Sequence, residues 1–223
     1  MQKKALLHAI IITLTAGGLT LGATAPGEQI LDDYRAGIAP GWQPKIFSGQ
    51  THYRAEKNEE RAWIQATSTA AASGLFYKID YAPQLRPILK WSWKIDHILK
   101  TGDARTKAGD DYPARIYVVF PSVFFWKTKA LNYIWANRLP VGRALPNAYT
   151  ANAMMIAVES GPAKTGQWVT EERNIYEDYK LYFGEEPGNV GAIAIMTDTD
   201  NTGENASAGY GPIIIGAAAE PPH

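Results

Sequence analysis

The sequence predicts an all-β fold, an antiparallel β-sandwich of jelly-roll type with one short helix. Three observations predict it. Nine short runs are rich in β-branched and aromatic residues. Turn chemistry separates them, as Ala-Pro at 82–83, Thr-Gly-Asp at 101–103, Gly-Asp-Asp at 109–111, Ser-Gly-Pro at 160–162 and Glu-Pro-Gly at 186–188. Only one segment repeats its apolar residues at spacings of three and four. A closed barrel is the rival arrangement of the same strands.

The chain opens MQKKALLHAIIITLTAGGLTLGATA. Two lysines, an apolar stretch broken by Thr and Gly, and a closing Ala-Thr-Ala follow the order of a secretory signal peptide, expected over 1–25. A single sandwich domain is expected over 26–216. The strands are expected at 61–67, 73–80, 88–98, 114–120, 131–136, 153–160, 167–173, 190–196 and 212–215. The clearest is 88–98, where Leu89, Trp91, Trp93, Ile95 and His97 alternate with Lys90, Ser92, Lys94 and Asp96. That pattern puts His97 on the apolar face. Within 172–184, Ile175, Tyr179 and Tyr182 or Phe183 share a helical face, and Gly184 supplies the C-terminal stop. The end, 217–223, reads as a loose tail.

Cleavage after Ala25 removes two lysines and no acids, leaving 198 residues with a formal charge of −2. Near-neutral charge with no basic tract gives no support to a nucleic-acid partner. No later run reaches the roughly 18–20 apolar residues of a membrane span. With no cysteine, neither a disulfide nor a processed lipoprotein anchor is available, and thiol catalysis is excluded. The expected location is the periplasm or the medium.

Several motifs recur together: WSWKI (91–95), DDYPARIYVVF (110–120), LNYIWAN (131–137), VESG (158–161), ERNIYEDYKLYFG (172–184) and AIMTDTDNTGENASAGYGPI (194–213). In that order they resemble the bacterial "domain of unknown function 3047" family. The resemblance implies an exported, single-domain envelope protein of Gram-negative type with a sandwich fold. It supplies no catalytic or binding residues to carry over.

The apolar run 190–196 ends in Asp198-Thr199-Asp200-Asn201-Thr202-Gly203. The first half matches the oxygen-ligand spacing of a calcium loop, but position twelve is Gly209 rather than Glu, so this is no EF-hand. Three readings stand: a polar turn with Gly203 at positive φ, a cation site, or catalytic carboxylates. The candidate cation ligands are Asp198, Asp200 and Thr202, completed by Asp110 and Asp111, and Ca²⁺ is the ion such oxygens suit. Arg115 is expected to pair with one of these acids, or to hold a ligand.

Seven Trp and twelve Tyr supply flat apolar faces for stacking on sugar rings. Trp126, Tyr133, Trp135 and Tyr149 are the candidates for a ligand-lining set. The FFW at 124–126 reads alternatively as a partner- or membrane-touching tip. No His-Glu-x-x-His, Gly-x-Ser-x-Gly, dinucleotide or phosphate-loop motif occurs, so no catalytic residue is assigned. Glu159, Glu171, Glu172, Asp198 and Asp200 are the acids near strand ends from which a glycosidase pair would be drawn. The leading expectation is a non-catalytic binder of a glycan or cell-envelope component. The alternatives are a carbohydrate-active hydrolase or lyase, and an envelope protein-interaction module.

Overall fold

A computed structural model describes residues 27–218. The expected signal peptide, 1–25, and residues 219–223 of the expected tail lie outside the described residues. Fourteen strands and one α-helix follow in the order β1 (Gln29–Ile30), β2 (Trp42–Ser48), β3 (His52–Lys57), β4 (Ala62–Thr69), β5 (Ala72–Tyr81), β6 (Ile88–Ile95), β7 (Arg115–Phe120), β8 (Lys129–Ala136), β9 (Ala144–Asn147), β10 (Thr150–Ser160), β11 (Val169–Asn174), α1 (Ile175–Phe183), β12 (Val190–Asp198), β13 (Asn205–Tyr210) and β14 (Ile214–Gly216).

They form two seven-stranded sheets, the sandwich of jelly-roll type that the sequence predicts. The first runs β1-β14-β6-β13-β4-β3, with β11 also on β6; the second runs β2-β5-β12-β7-β8-β10-β9. Every pairing is antiparallel except β8 with β10. The alternation of β6 points Leu89, Trp91, Trp93 and Ile95 inward. Ile116 and Val118 of β7, Leu131, Tyr133 and Trp135 of β8, and Ile193 and Ile195 of β12 meet them from the other sheet. Rings touch across the gap, Trp91 to Tyr133 at 5.2 Å and Trp93 to Trp135 at 5.8 Å between centroids. Burial of side chains this large dominates the energetics of such a core.

The β6 strand stops at Ile95, so His97 leaves the apolar face expected for it. It is exposed, with a ring nitrogen 3.0 Å from the Asn205 carbonyl oxygen. The helix follows its sequence signals. The Asn174 side chain accepts from the Glu177 N–H at 3.0 Å, and Gly184 takes a left-handed φ of 69°. No described helix is long and apolar enough to cross a membrane.

Two connections pass between the sheets at one corner. The β4–β5 link crosses at Ala70 and Ala71, and the β12–β13 link crosses back through residues 199–204. The Thr199 N–H donates to Ala71 O at 2.8 Å, the Ser68 and Thr199 hydroxyls meet at 2.9 Å, and the Ala70 N–H donates to Glu204 O at 3.0 Å. Gly203 sits at φ 71° and its N–H donates to Thr199 O at 2.9 Å. The polar turn expected after the apolar run is therefore a sheet-to-sheet corner.

Candidate functional site

Asp198 ends β12, Asp200 lies in the corner, and Asp110 and Asp111 precede β7, which pairs with β12. The pairing brings carboxylate oxygens of Asp111, Asp198 and Asp200 within 4.8 Å of one another. Asp111 and Asp198 are buried. Asp111 accepts from the Thr202 N–H at 2.6 Å and from the Asn201 amide at 3.1 Å. Thr202 thus closes the corner through its backbone. Asp110 is buried beside them, but its oxygens accept from Tyr112 Oη at 3.0 Å and Asn147 Nδ2 at 2.8 and 2.9 Å. Of the five expected cation ligands, the structure brings together three.

Arg115, with no solvent exposure, donates from Nη2 to Asp198 Oδ2 at 2.6 Å. Burial pushes the Asp198 carboxyl well above its ordinary range; Arg115 opposes this, while Asp111, Asp110 and Asp200 add to it. Asp110 is raised too, chiefly by burial. Four acids meet one guanidinium in this corner, an excess of carboxyl groups in a low-dielectric place that a hard divalent cation with oxygen ligands would relieve. Tyr149 leans over the same corner, its hydroxyl donating to Asn201 Oδ1 at 3.1 Å.

The outer face of the second sheet continues from this corner. Inward residues of β7 and β8 alternate with Arg115, Tyr117, Asn132 and Ile134, which point outward. Strand register lays Phe76, Ala194, Tyr117, Asn132 and Met155 in one row across five strands. Phe76 and Tyr117 stand two strands apart and lean over the small Ala194 between them. Their rings stack at 6.4 Å and 27°. Phe47 meets Phe76 at 6.4 Å, and the Lys45 amine lies 5.5 Å from the Phe76 ring. Burial lowers that amine to about 8. Phe47, Phe76 and Tyr117 are partly exposed. Arg115 adjoins them, its Cζ 5.1 Å from the Tyr117 ring. Among the described residues, Arg115 Nε and Nη1 and Asn132 Oδ1 have no hydrogen-bond partner.

The other ligand-lining candidates scatter. Tyr133 and Trp135 lie fully buried between the sheets and serve the core, because β8 turns that side inward. Trp126 is 57% exposed, on a tip with Val123, Phe124 and Phe125. Sequence reasoning missed Phe76, Tyr117 and Asn132. The one signal available was the small-residue alternation Ala192-Ile193-Ala194, where the two alanines leave room above the sheet.

A second pair of acids meets along the side of the sandwich. A bulge in β10 between Ala157 and Glu159 sets Glu159 opposite the inward-facing Trp135. Glu171 of β11 faces the same space and accepts from Trp93 Nε1 at 3.3 Å. Burial pushes Glu171 up to about 7, and Glu159 adds to the rise; the Trp93 hydrogen bond, Lys164 and Arg173 oppose it. Lys164 pairs with Glu159. Glu172 is exposed on the other side of β11, paired with Lys90 at 3.3 Å.

The model of the family described as Protein of unknown function (DUF3047) matches residues 40–214, and the chain belongs to that family. No curated protein sequence matches the chain. Solved structures with similar folding include the glycoside hydrolase domain of Endo-D from Streptococcus pneumoniae R6, at 11% identity and TM-score 0.39 over 82% of this chain. The match covers 22% of the Endo-D chain, so this protein spans about a fifth of that length. A cellulase derived from Cel12A of Rhodothermus marinus matches at 13% identity and TM-score 0.40, covering 82% of this chain and 97% of its own. The CBM22-1 xylan-binding domain of Paenibacillus barcinonensis Xyn10C matches at 12% and 0.42, covering 88% and 100%. These likenesses concern chain folding alone, and no residue role is taken from them.

Proposed function

We propose that this DUF3047 protein is an exported, non-catalytic binder of a glycan or another polyhydroxylated component of the cell envelope, with the ligand on the outer face of the second sheet. One observation carries the reading. The partly exposed Phe47, Phe76 and Tyr117 rings form an aromatic platform on this face, with the Lys45 amine at its edge. A sugar suits such a platform. Its C–H face stacks on an aromatic ring. Its hydroxyls accept from the Lys45 amine, 5.5 Å from the Phe76 ring. The Asp111–Asp198–Asp200 corner, holding Ca²⁺, would brace the same face from one end. Location in the periplasm or medium rests on the leader-like residues 1–25.

The test is retention on a panel of insoluble polysaccharides and peptidoglycan with Ca²⁺ present. Selective retention on one polymer is expected, with loss of about tenfold or more in affinity for Tyr117→Ala, the scale of one lost aromatic contact and its hydrogen bonds. Retention on none of the polymers overturns the proposal.

The Glu159–Glu171 pair favours a second reading, a glycan hydrolase. Glu171, pushed up to about 7, lies beside a second carboxyl that pairs with Lys164, and two neighbouring carboxyls are what an acid–base pair is built from. It predicts release of soluble sugar from the retained polymer, abolished by Glu171→Gln. Binding without product eliminates it.

A further inference from the structure

The outer face of the first sheet carries a different constellation. Register sets Lys94, Gly209, Gln65 and Arg54 in one row across β6, β13, β4 and β3. Their neighbours Ile95, Ala208, Ala66 and Ile64 point into the core, so this row points out. Two partly exposed indoles sit on the glycine. A Cβ on Gly209 would lie 2.9 Å from Trp168 Cη2 and 3.2 Å from Trp63 Cδ1. The rings meet edge to face at 5.9 Å and 70°. Trp63 Nε1 donates to Gln65 Oε1 at 3.1 Å, and Gln65 is tied in turn to Ser207 at 3.0 Å, which fixes the orientation of the Trp63 ring.

Trp168 holds two cations. Arg61 Cζ is 4.7 Å and Lys94 Nζ 5.8 Å from its ring centroid. Neither makes an ion pair among the described residues, although Lys90, Arg54 and Arg173 nearby all do. Glu59 and Glu60 precede Arg61 in the β3–β4 turn and make no ion pair with it. Two like charges on one ring repel. The attraction of each for the indole face offsets part of that repulsion and holds the guanidinium in a set orientation. A planar guanidinium so oriented matches a carboxylate bidentately, and an ammonium beside it adds a point charge.

We propose that Trp63, Trp168, Arg61 and Lys94 form a binding site for an acidic polysaccharide of the uronic-acid class. The carboxylate lies against Arg61 and Lys94 and the sugar ring against Trp63. This is a separate face from the ligand face proposed above, and it stands or falls separately.

The experiment is native gel electrophoresis of the purified protein through polygalacturonate, with fully methyl-esterified polygalacturonate as the uncharged comparator. Polygalacturonate retards the protein. The ester retards it at least tenfold more weakly, and Arg61→Gln and Lys94→Gln each weaken retardation about tenfold, the scale of one hydrogen bond to a charged group. Tyr117→Ala, on the opposite sheet, leaves retardation unchanged. Polygalacturonate also shifts the tryptophan emission, and Trp168→Phe removes that shift. The proposal is overturned by an absence of retardation, by equal retardation in the ester, or by Arg61→Gln and Lys94→Gln proteins that bind like the parent. Loss of retardation in Tyr117→Ala would place the acidic polymer on the other face, and overturns it too.

Discussion

At the corner between the sheets, Asp198 gathers three other acids and pairs with one arginine; along the side of the sandwich, two glutamates share one lysine. The counter-charges differ in exposure. Arg115 has no side-chain exposure, whereas that of Lys164 is 52%. A buried guanidinium cannot trade its carboxylate for water, so the corner pair is fixed in the fold. A half-exposed ammonium can, so the side pair is not fixed in the same way, and Glu171 remains open to titration. The first arrangement suits bracing, the second suits proton exchange.

Removing the fixed charge gives the largest expected effect. Arg115→Met leaves Asp198 buried without its cation and is expected to cost about 3–5 kcal/mol in urea unfolding. The double variant Arg115→Met/Asp198→Asn recovers most of that loss, because neither charge is then stranded. A single variant within about 0.5 kcal/mol of the parent, the scatter of ordinary surface changes, would erase the contrast between the two regions.

A divalent ion sharpens the contrast from the other direction. If the corner binds Ca²⁺, the ion at a hundred times its Kd stabilises the folded state by about 2.7 kcal/mol. The melting temperature then rises on adding Ca²⁺ and falls in EDTA, and Asp200→Asn abolishes the response. A melting temperature that ignores both additions leaves the corner a hydrogen-bonded turn.

The two regions were unequally legible in the sequence. The strand at Ile88–Ile95, the helix with its Asn174 and Gly184 caps, and the acids at the end of β12 all carry local signals. What turns the acidic turn into a corner is not local. It depends on β12 and β13 lying in different sheets, and β13, reading Asn-Ala-Ser-Ala-Gly-Tyr, has too few large apolar residues to announce a strand. Its small side chains are what the packing needs, since Gly209 lies beneath two indoles. The choice between Tyr133 and Tyr117 as a surface residue was illegible for a related reason. The strand β8 is buried on both sides, inward by the core and outward by Tyr112, Met155 and Leu139, so its alternation disappears. The direction of Glu159 depends on a bulge that no residue type in 157–159 marks.

The smallest expected effect comes from the open pair, and its sign follows from protons bound. Glu171 ordinarily titrates near 4.5; in the fold it is pushed up to about 7, first by burial and then by Glu159. Between those values the folded chain keeps a proton that the unfolded chain has released. Stability from this group is therefore fully present below about pH 4.5 and is lost as pH rises to about 7. Glu171 is only partly buried, and solvent screening holds the effect to below about 1 kcal/mol. Urea midpoints at pH 5 and pH 7.5 measure it. Glu171→Gln, which carries no proton to lose, flattens the difference attributable to this site. Glu159→Gln removes the neighbouring charge, draws Glu171 back toward its ordinary value and narrows the window. Lys164→Met removes an opposing charge and moves the upper edge of the window to higher pH. A parent protein and a Glu171→Gln protein with the same pH dependence would mean that the open pair is as fixed as the corner.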